Sequence, residues 1–521
     1  MRKLTEKLYE DQINALYEVS AMSKDKVVEV SLEVSSKTFY ERSAVIAFLR
    51  SIIGATFPPG TTIDEDEDLY GYGMDSIQTL EITSSLKRNL HRYTSMQVTW
   101  ISPRTIFRHS TFASLADLIT AFLNDGIIPQ EDYQLAAART LDETVARHVE
   151  TLPRKPTLST LTGTSSVAII GSTGYLGLHL VETLMERAEI TRIYCLNRGR
   201  DAQVKQSAAL RLLCKSNVQS LLQKLVYITI DFEKAHLGLT KNTIDLIFNE
   251  VDAVIYNSWK LDFNLGIRSF EPFIRAARDL VELVASSERG IHIIFISSLS
   301  AVASMAEKTV APEAAVQDAA AALNIGYAQS KLTTERVLEA ASHGVGIPIS
   351  IVRVGQIGGP TGDRPGPWAD QPWISAMVRT AKSINSIPDL PAYIDWVPVD
   401  SIAQVLYDVA VNPAPTNIQV FNVCPESPSP WKMFVDVLRD NHDIREVIPM
   451  REWVQRLRSI TDPSVEDIAR MPALKLLDYY DSIAETRQPS FASGRIDSVS
   501  KVGISAVDVH MLERWLSSWD M

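Results

Sequence analysis

Apolar residues recur along this chain in two rhythms. Between about residue 40 and 125 they fall three and four apart, as on one face of a helix. "RSAVIAFLRSIIG" keeps that spacing until Gly54, "SIQTLEITSSLKRNL" repeats it, and "TFASLADLITAFLNDG" repeats it again until Gly126. Thr111 stands where a helix N-cap is wanted, and glycine suits the end of a helix. Helices of this kind over residues 40–126 predict a small bundle.

The second rhythm begins at Ser166. "VAIIG", "RIYCLNRG", "LVYITIDF", "AVIYNS" and "HIIFISS" are short apolar runs separated by helical stretches. Continuous apolar runs alternating with helices predict an α/β fold, a doubly wound parallel sheet covered on both faces. After residue 360 the alternation breaks up and Trp and Pro become frequent, which predicts a mostly helical C-terminal lobe. The expected division is a sheet core over about 165–360 and 395–425, with the lobe over about 361–394 and 426–521. Residues 1–39 show weak periodicity and mixed charge, as a linker or the remnant of something upstream would. Residues 127–164 contain "PRKPTLSTLTGTSS", rich in Pro, Ser and Thr, and read as a second linker.

Composition narrows the function classes. A chain of 521 residues exceeds one ordinary core, so two or three domains are expected. The net charge of -12 argues against general affinity for nucleic acid or an anionic membrane, and suits visits from a basic partner. Cys195, Cys214 and Cys424 are too few and too scattered for a disulfide framework or a structural metal site, so no metal is expected. The start, "MRKLTEKLYEDQ", lacks the apolar core of a signal peptide, and the longest apolar run, "IHIIFISSLSAVASMA", carries a histidine and several serines. A soluble, cytoplasmic protein is the expectation.

"VAIIGSTGYLGLHLVETLM" places Gly171, Gly174 and Gly177 between a strand and a helix, with Thr173, Tyr175 and Leu176 in the same turn. The first glycine allows the tight turn, the second lets a pyrophosphate approach the backbone, and the third allows close helix–strand packing. Strand, loop and helix stand in the order a dinucleotide site requires. The next strand ends in "CLNRGR", where an NAD site would favour Asp or Glu for the ribose hydroxyl. Asn197, Arg198 and Arg200 stand there instead. A solvated basic turn would present the same residues, but a guanidinium suits a 2′-phosphate through forked, charge-assisted bonds. NADPH is therefore the expected cofactor, with Arg198 the first candidate and Arg211 a weaker one. Asp231 and Phe232 are placed to border the adenine, and Asn257 to lie near the nicotinamide ribose.

"GYAQSKLTTERVLEAA" puts Tyr327 and Lys331 four apart at the start of a helix, so both face one side. A neighbouring ammonium and a nicotinamide cation favour the phenolate, which predicts a lowered tyrosine pKa. The preceding strand ends in serines. Ser298 is the choice for a hydroxyl that holds the substrate oxygen, with Ser297 and Ser300 as alternatives, and two of the three must be structural.

The glycine loop, the Tyr-x-x-x-Lys pair and the serine-bearing strand together resemble the extended short-chain dehydrogenase/reductase superfamily, with its Rossmann-type sheet. More narrowly, residues 165–521 resemble the terminal thioester reductase domains of nonribosomal peptide synthetases and carboxylic acid reductases. "RVGQIGG" (353–359), "DWVPVDSIA" (395–403), "VFNV" (420–423) and "PALKLLDYY" (472–480) add to this, the last resembling fungal adenylation–carrier–reductase enzymes. One departure is "NSW" (257–259), where the family usually has Asn-Gly-Ala; it bears on pocket shape, not on the chemistry. The resemblance implies hydride transfer to a thioester, with Tyr327 as proton donor, Ser298 sharing the oxyanion charge and Lys331 holding the ribose.

"GYGMDSIQTLEI" (71–82) in turn resembles the 4′-phosphopantetheine attachment site of acyl and peptidyl carrier proteins, with Ser76 as the modified residue. Five acidic residues precede it, Asp64 to Asp68, and would attract a basic phosphopantetheinyl transferase. Asp75-Ser76 acting only as a helix cap is the plainer explanation of so short a match. The combined expectation is a carrier domain feeding an acyl thioester to a reductase that releases an aldehyde, or an alcohol after a second hydride. An adenylation domain upstream or in trans is expected to load the carrier, and a monomer is expected. Three rivals remain: Dieckmann-type cyclising release, a non-catalytic docking scaffold, and a dehydrogenase acting on a sugar nucleotide. The retained Tyr327 and Lys331, the intact glycine loop and the carrier half count against them in turn. The Trp- and Pro-rich "GPWADQPWISAMV" (366–378) is expected to line the substrate channel or to pack the lobe.

Overall fold

The computed structural model describes residues 40–519 apart from 92–93, 95–96, 99, 127–132, 154–162, 215–217, 306–308, 324, 362–365, 414–417, 443, 461–462 and 486–488. The expected linker over 1–39, and most of the Pro- and Thr-rich stretch, lie outside the described residues. The chain divides into two compact units, Met1–Asp132 and Tyr133–Met521.

The first unit is helical. Helix α1 (Arg42–Ile53) buries Val45, Phe48, Leu49, Ile52 and Ile53, one stripe at helical spacing. Helix α2 (Ser76–Leu90) covers the second amphipathic stretch. A short α3 (Pro103–Arg108), begun by a Ser102 cap and Pro at its first turn, adds to the three expected helices. Helix α4 (Phe112–Asp125) starts at the Thr111 cap, whose hydroxyl accepts from Ser114 N at 3.1 Å. It ends at Gly126 in the left-handed region, φ +67°, where glycine avoids the Cβ penalty.

The second unit begins with a helix, where the composition of residues 127–164 predicts a linker. α5 (Tyr133–Glu150) buries Leu141, Thr144, Val145 and His148, spaced three and four apart. Arg147 and His148 each lie 2.9 Å from the Glu271 carboxylate, and Asp142 pairs with Arg336 at 2.6 Å. A polar outer face and a Pro-rich tail hid this amphipathic stripe.

Seven strands form the central sheet: β1 (Ser166–Ile170), β2 (Arg192–Asn197), β3 (Leu225–Thr229), β4 (Ala253–Tyr256), β5 (His292–Ser298), β6 (Ile349–Val354) and β7 (Gln419–Val423). Their order is β7-β6-β5-β4-β1-β2-β3, every pairing parallel. The expected doubly wound sheet is thus present, and the chain reverses direction across it between β1 and β4. In such a sheet a crevice opens at the carboxyl ends of those two strands. Helices α6 (Tyr175–Met185), α7 (Ala202–Leu213), α8 (Glu271–Ser286) and α9 (Gly326–Val345) supply the crossovers. α8 packs on α9, and α9 also packs against α5.

The expected lobe contains α10 (Ile374–Ile384), then, after the sheet helix α11 (Val399–Val411) that packs on α6, α12 (Trp431–His442), α13 (Met450–Arg458), α14 (Leu477–Glu485) and α15 (Val509–Ser517). The last helix closes on the sheet through tryptophan. Trp515 lies so near Gly359 that an added Cβ there would meet its ring at 2.2 Å, and its indole N–H donates to the Pro360 carbonyl at 3.0 Å. Trp519 stacks on Trp368 with centroids 4.3 Å apart. Among the described residues no helix is long and apolar enough to cross a membrane.

If α5 belongs to the second unit's core, truncating fully buried Leu141 should be costly. Leu141→Ala is expected to lower unfolding stability by about 2–5 kcal/mol in urea denaturation. A change within about 0.5 kcal/mol, as at an exposed site, would show α5 to be dispensable.

Candidate functional site

At the start of α2 the neighbouring Asp75 and Ser76 have different surroundings. Asp75 is the N-cap: its carboxylate accepts from Ile77 N and Gln78 N, both at 2.8 Å, and its own N–H donates to Gln78 Oε1 at 2.9 Å. The Asp75 carboxylate thereby satisfies two of the helix's open donors without the Ser76 hydroxyl. The Ser76 hydroxyl, half-buried at the first helical position, has no hydrogen-bond partner among the described residues. Before it, Gly73 takes φ +98°, a conformation other residues adopt only under strain, while Met74 is buried as an anchor. The preceding acidic run is partly committed. Glu65 pairs with Arg42 at 2.8 Å, Glu67 accepts from the Tyr72 hydroxyl, and Asp68 accepts from Gly71 N at 2.9 Å. Asp64 and Asp66 are exposed.

In the second unit the glycine turn joins β1 to α6. Gly171 has φ +92°, and an added Cβ would meet the Ser258 backbone at 2.9 Å. Gly177 lies so close beneath the turn that a Cβ would sit 2.3 Å from the Gly171 carbonyl oxygen. Gly174, by contrast, has its nearest neighbour at 3.9 Å, which leaves the N-terminus of α6 open. This is the cradle a pyrophosphate needs, with free backbone N–H groups and the positive end of a helix.

The polar residues around the turn differ in how far their side chains are committed, although Asn197, Asn257 and Arg198 all line the cavity. Asn197 is buried and turned inward: its Oδ1 accepts from Thr173 N at 3.2 Å, and its Nδ2 donates to Ser172 Oγ at 2.8 Å. Asn257 Nδ2 donates to the Gly171 carbonyl at 2.8 Å, tying β4 to the turn. Arg198 is exposed at the cavity edge, its guanidinium 5.9 Å from the Phe232 ring, and makes no ion pair among the described residues. Phe232 is buried and lines the cavity. Asp231 does not; it accepts from Glu233 N at 3.0 Å and pairs with Lys234 at 3.2 Å. Arg211 is also outside the lining and donates to Gln219 at 3.2 Å. Lys205, which the sequence reading missed, lines the cavity beside Asp201, its partner at 2.6 Å.

From this turn a cavity of about 610 Å³ runs past Tyr327 to the C-terminal lobe. Lys331 is buried, and its ammonium donates to the Ile296 carbonyl at 2.7 Å. Burial pushes that ammonium well below its ordinary pKa, and the Glu335 carboxylate opposes the shift. Tyr327 hydrogen-bonds Ser298, yet burial outweighs this and pushes the phenol up to about 12. The expected lowering is therefore not met in the protein alone: desolvation of the phenolate dominates, and Tyr327 carries its proton at neutral pH.

The three serines separate by their partners. Ser298 faces Tyr327 and accepts from the Ser300 hydroxyl at 2.9 Å. Ser297 instead donates to Glu335, which holds Arg353 at 2.6 Å in a pair with side chains 2% and 0% exposed. Ser297 is thus part of the framework.

The far end of the cavity is lined by aromatic and polar groups the sequence reading did not assign. Phe263 stacks on Tyr479 at 4.6 Å and meets Tyr327 edge-on at 5.4 Å. Trp373 donates to Gln356 at 2.9 Å, and Gln356 donates to Gln371 at 2.7 Å. The stretch over 366–378 accordingly does both things expected of it, since Gln371 and Trp373 line the cavity while Trp368 packs the lobe. Asp395 also faces the cavity, and burial pushes its carboxyl up to about 6. Asp395 and Tyr479 lay in motifs already noticed, "DWVPVDSIA" and "PALKLLDYY", but single-sequence spacing gives no sign of which residue in a motif points inward.

Comparison with known proteins agrees with both halves. The family model described as phosphopantetheine attachment site matches residues 43–119, and that described as male sterility protein, an NAD-binding family, matches residues 169–406. A carboxylic acid reductase of Neurospora crassa is 26% identical over 545 residues, spanning 100% of this chain and 50% of that protein. The structure of an archaeal thiolation-reductase di-domain from a nonribosomal peptide synthetase superposes with a TM-score of 0.58 at 19% identity, covering 92% of this chain and 96% of that one. The terminal R domain of the myxalamid biosynthetic pathway gives 0.62 at 21% identity, over 73% of this chain and 97% of that one. These two likenesses are of fold. The chain spans about half the length of the curated relatives it matches. The chain thus matches a phosphopantetheine attachment domain in its first part and an NAD-binding domain in its second, and it is similar along its length to a carboxylic acid reductase.

Proposed function

We propose that the second unit is an NADPH-dependent thioester reductase acting on an acyl group carried by Ser76, and that it releases an aldehyde. One observation carries the reading most directly: a protonated Tyr327, a hydroxyl at Ser298 and a buried Lys331 share one cavity with an open glycine turn. In this reading residues 40–126 are the carrier domain and residues 165–521, with α5 packed on α9, do the chemistry. The partners are a phosphopantetheinyl transferase and an adenylation domain upstream or in trans, a role that the name of the adenylate-forming reductase of Serpula lacrymans, 27% identical over 543 residues, also suggests.

The residues fit both absent groups. Gly174 leaves room for a pyrophosphate, and Arg198, which lines the cavity and makes no ion pair among the described residues, can meet a 2′-phosphate. Ser76 is a hydroxyl with no other bond to make among the described residues. NADPH, when bound, supplies the hydride, and phosphopantetheine on Ser76 supplies the thioester. The protein's own part is to orient and to move a proton. Phe263 and Phe270 pack edge-on against Tyr327 and fix its ring. Its phenol gives its proton to the substrate oxygen as charge develops there, and Ser298 donates a second hydrogen bond to the same oxygen. Lys331 places a positive charge beside the phenolate that results and faces the ribose position. Asn257 holds the turn against β4, so the cofactor cradle and the proton donor keep one spacing. Loss of the thiol from the tetrahedral hemithioacetal then frees the aldehyde. Cyclising release needs neither Arg198 nor an open turn, and a docking scaffold needs no proton donor.

The test uses the purified chain, NADPH and a panel of acyl-pantetheine thioesters, with product identified by mass spectrometry. NADPH consumption with aldehyde or alcohol is expected; cleavage or cyclisation without cofactor use would replace reduction by another release chemistry. Tyr327→Phe is expected to lower kcat by about 10²–10⁴-fold, the usual range for a lost general acid, with NADPH affinity nearly unchanged. Ser76→Ala should abolish turnover of carrier-loaded substrate while leaving free acyl-pantetheine turnover intact; loss of both would argue against a tether role. Arg198→Ala should raise the KM for NADPH by about 10- to 100-fold and leave that for NADH alone, as expected for a charge-assisted bond of about 1.5–3 kcal/mol. Equal effects on both cofactors would remove Arg198 from the 2′-phosphate.

A further inference from the structure

One side chain of the cavity wall has no part in the reaction as drawn. Trp259 follows Asn257 and Ser258 at the end of β4, where the resemblance leads one to expect a small residue. Its ring centroid lies 4.1 Å from Lys331 Nζ, with Phe295 at 4.7 Å and the Tyr327 ring at 5.8 Å. Among the described residues the ammonium has a single hydrogen-bond acceptor, the Ile296 carbonyl. It is 3% exposed, so its remaining donors meet aromatic faces and the cavity in place of bulk water.

The indole is itself held by the helix it serves. Trp259 Nε1 donates to Ser330 Oγ at 3.1 Å, and Ser330 Oγ donates to the Tyr327 carbonyl at 2.7 Å. Tyr256, Phe273 and Phe295 surround the ring, with centroids at 5.8, 5.5 and 5.5 Å. The ring can therefore neither slide nor turn without disturbing α9.

We propose that Trp259 is a positioning residue for Lys331: its π face keeps the ammonium charged and in place beside Tyr327. This inference rests on the reductive reading of the site. A buried ammonium with one carbonyl acceptor tends toward the neutral amine. Indole carries the strongest quadrupole of the aromatic side chains and attracts a cation most where water is excluded. Fixed in advance, it stabilises the charge without reorganising when the phenolate forms. The other groups around the ammonium are few. Glu335, on the same helix and bonded to Arg353 of β6, also favours the cation, and Tyr327 is the titratable group beside it. Tyr256 of β4 packs on the indole, and Asp395 and Tyr479 line the cavity's far end.

The sign of the effect follows. Proton delivery from Tyr327 needs a charged Lys331, so activity falls as pH rises through the lysine pKa. Removing the π face lowers that pKa, and the fall begins earlier. The experiment compares the full chain with Trp259→Phe and Trp259→Leu, recording kcat/KM against pH, NADPH affinity, and the titration of Lys331 by NMR after ¹³Cε-lysine labelling. Lys331→Arg assigns the signal.

In Trp259→Leu the alkaline limb and the Lys331 titration should both move down by about one pH unit, with Trp259→Phe between the two. On the alkaline side this is a loss of about tenfold in kcat/KM, with NADPH affinity nearly constant. An unmoved Lys331 titration overturns the proposal, as does a uniform loss across pH or a loss confined to NADPH affinity. If Trp259→Leu does not fold, Trp259→Phe decides by the same direction or its absence. A wild-type chain that consumes no NADPH sinks the reductive reading before any variant is made, and the NMR titration still decides whether the indole holds the charge.

Discussion

The site depends on one ion pair that never touches it. Arg353, on β6, and Glu335, on α9, are buried almost completely, and the carboxylate takes donors from both Nε and Nη2 of the guanidinium. Arg353 also donates to the carbonyls of Pro312 and Ala314, and Ser297 of β5 donates to Glu335. Helix, two strands and a loop are thereby locked at one register. Burying two charges is costly unless their hydrogen bonds are filled, and here the bonds the pair makes leave little unmet. Removing either partner would strand the other. Lys331 lies one helical turn from Glu335 on α9, so the height of Lys331 above the sheet is set by that buried pair.

The glycine turn imposes the complementary constraint. Gly177 lets α6 come down onto the turn, and Gly171 lets Ser258 cross above it, so the end of β4 is drawn over the end of β1. Asn197 and Asn257 then hold the turn from either side. The cofactor cradle and the Tyr327 cavity are consequently two ends of one rigid assembly. Catalysis of the kind proposed asks for that arrangement, because a hydride donor and a proton donor must meet the same carbonyl at fixed distances.

Much of this was legible in the sequence wherever a residue's role follows from the backbone. Glycines at the turn, apolar runs in the strands, and the Tyr327–Lys331 spacing on α9 all express local geometry, and the structure places them accordingly. Roles that depend on which way a side chain turns were not legible. Ser297 and Ser298 are adjacent in sequence, yet strand alternation sends one to Glu335 and the other to Tyr327. Asp231 and Phe232, just past the end of β3, also separate, one to the surface and one to the cavity. Helix α5 was hidden by its neighbours' composition, although Leu141, Thr144, Val145 and His148 trace its buried stripe.

One expectation not met in the protein alone concerns the phenol. A lysine four residues away and a nicotinamide cation are expected to lower the Tyr327 pKa, but the burial that brings tyrosine and lysine together removes water from both. In a dry site the ammonium loses stability as the phenolate does, so each is driven toward its neutral form. A tyrosine kept protonated is the right starting state for a group that must give its proton away, and the wrong one for a group that must first take a proton. That protonated state suits the proton donor proposed here, and it rests on desolvation and owes nothing to the spacing of Tyr327 and Lys331.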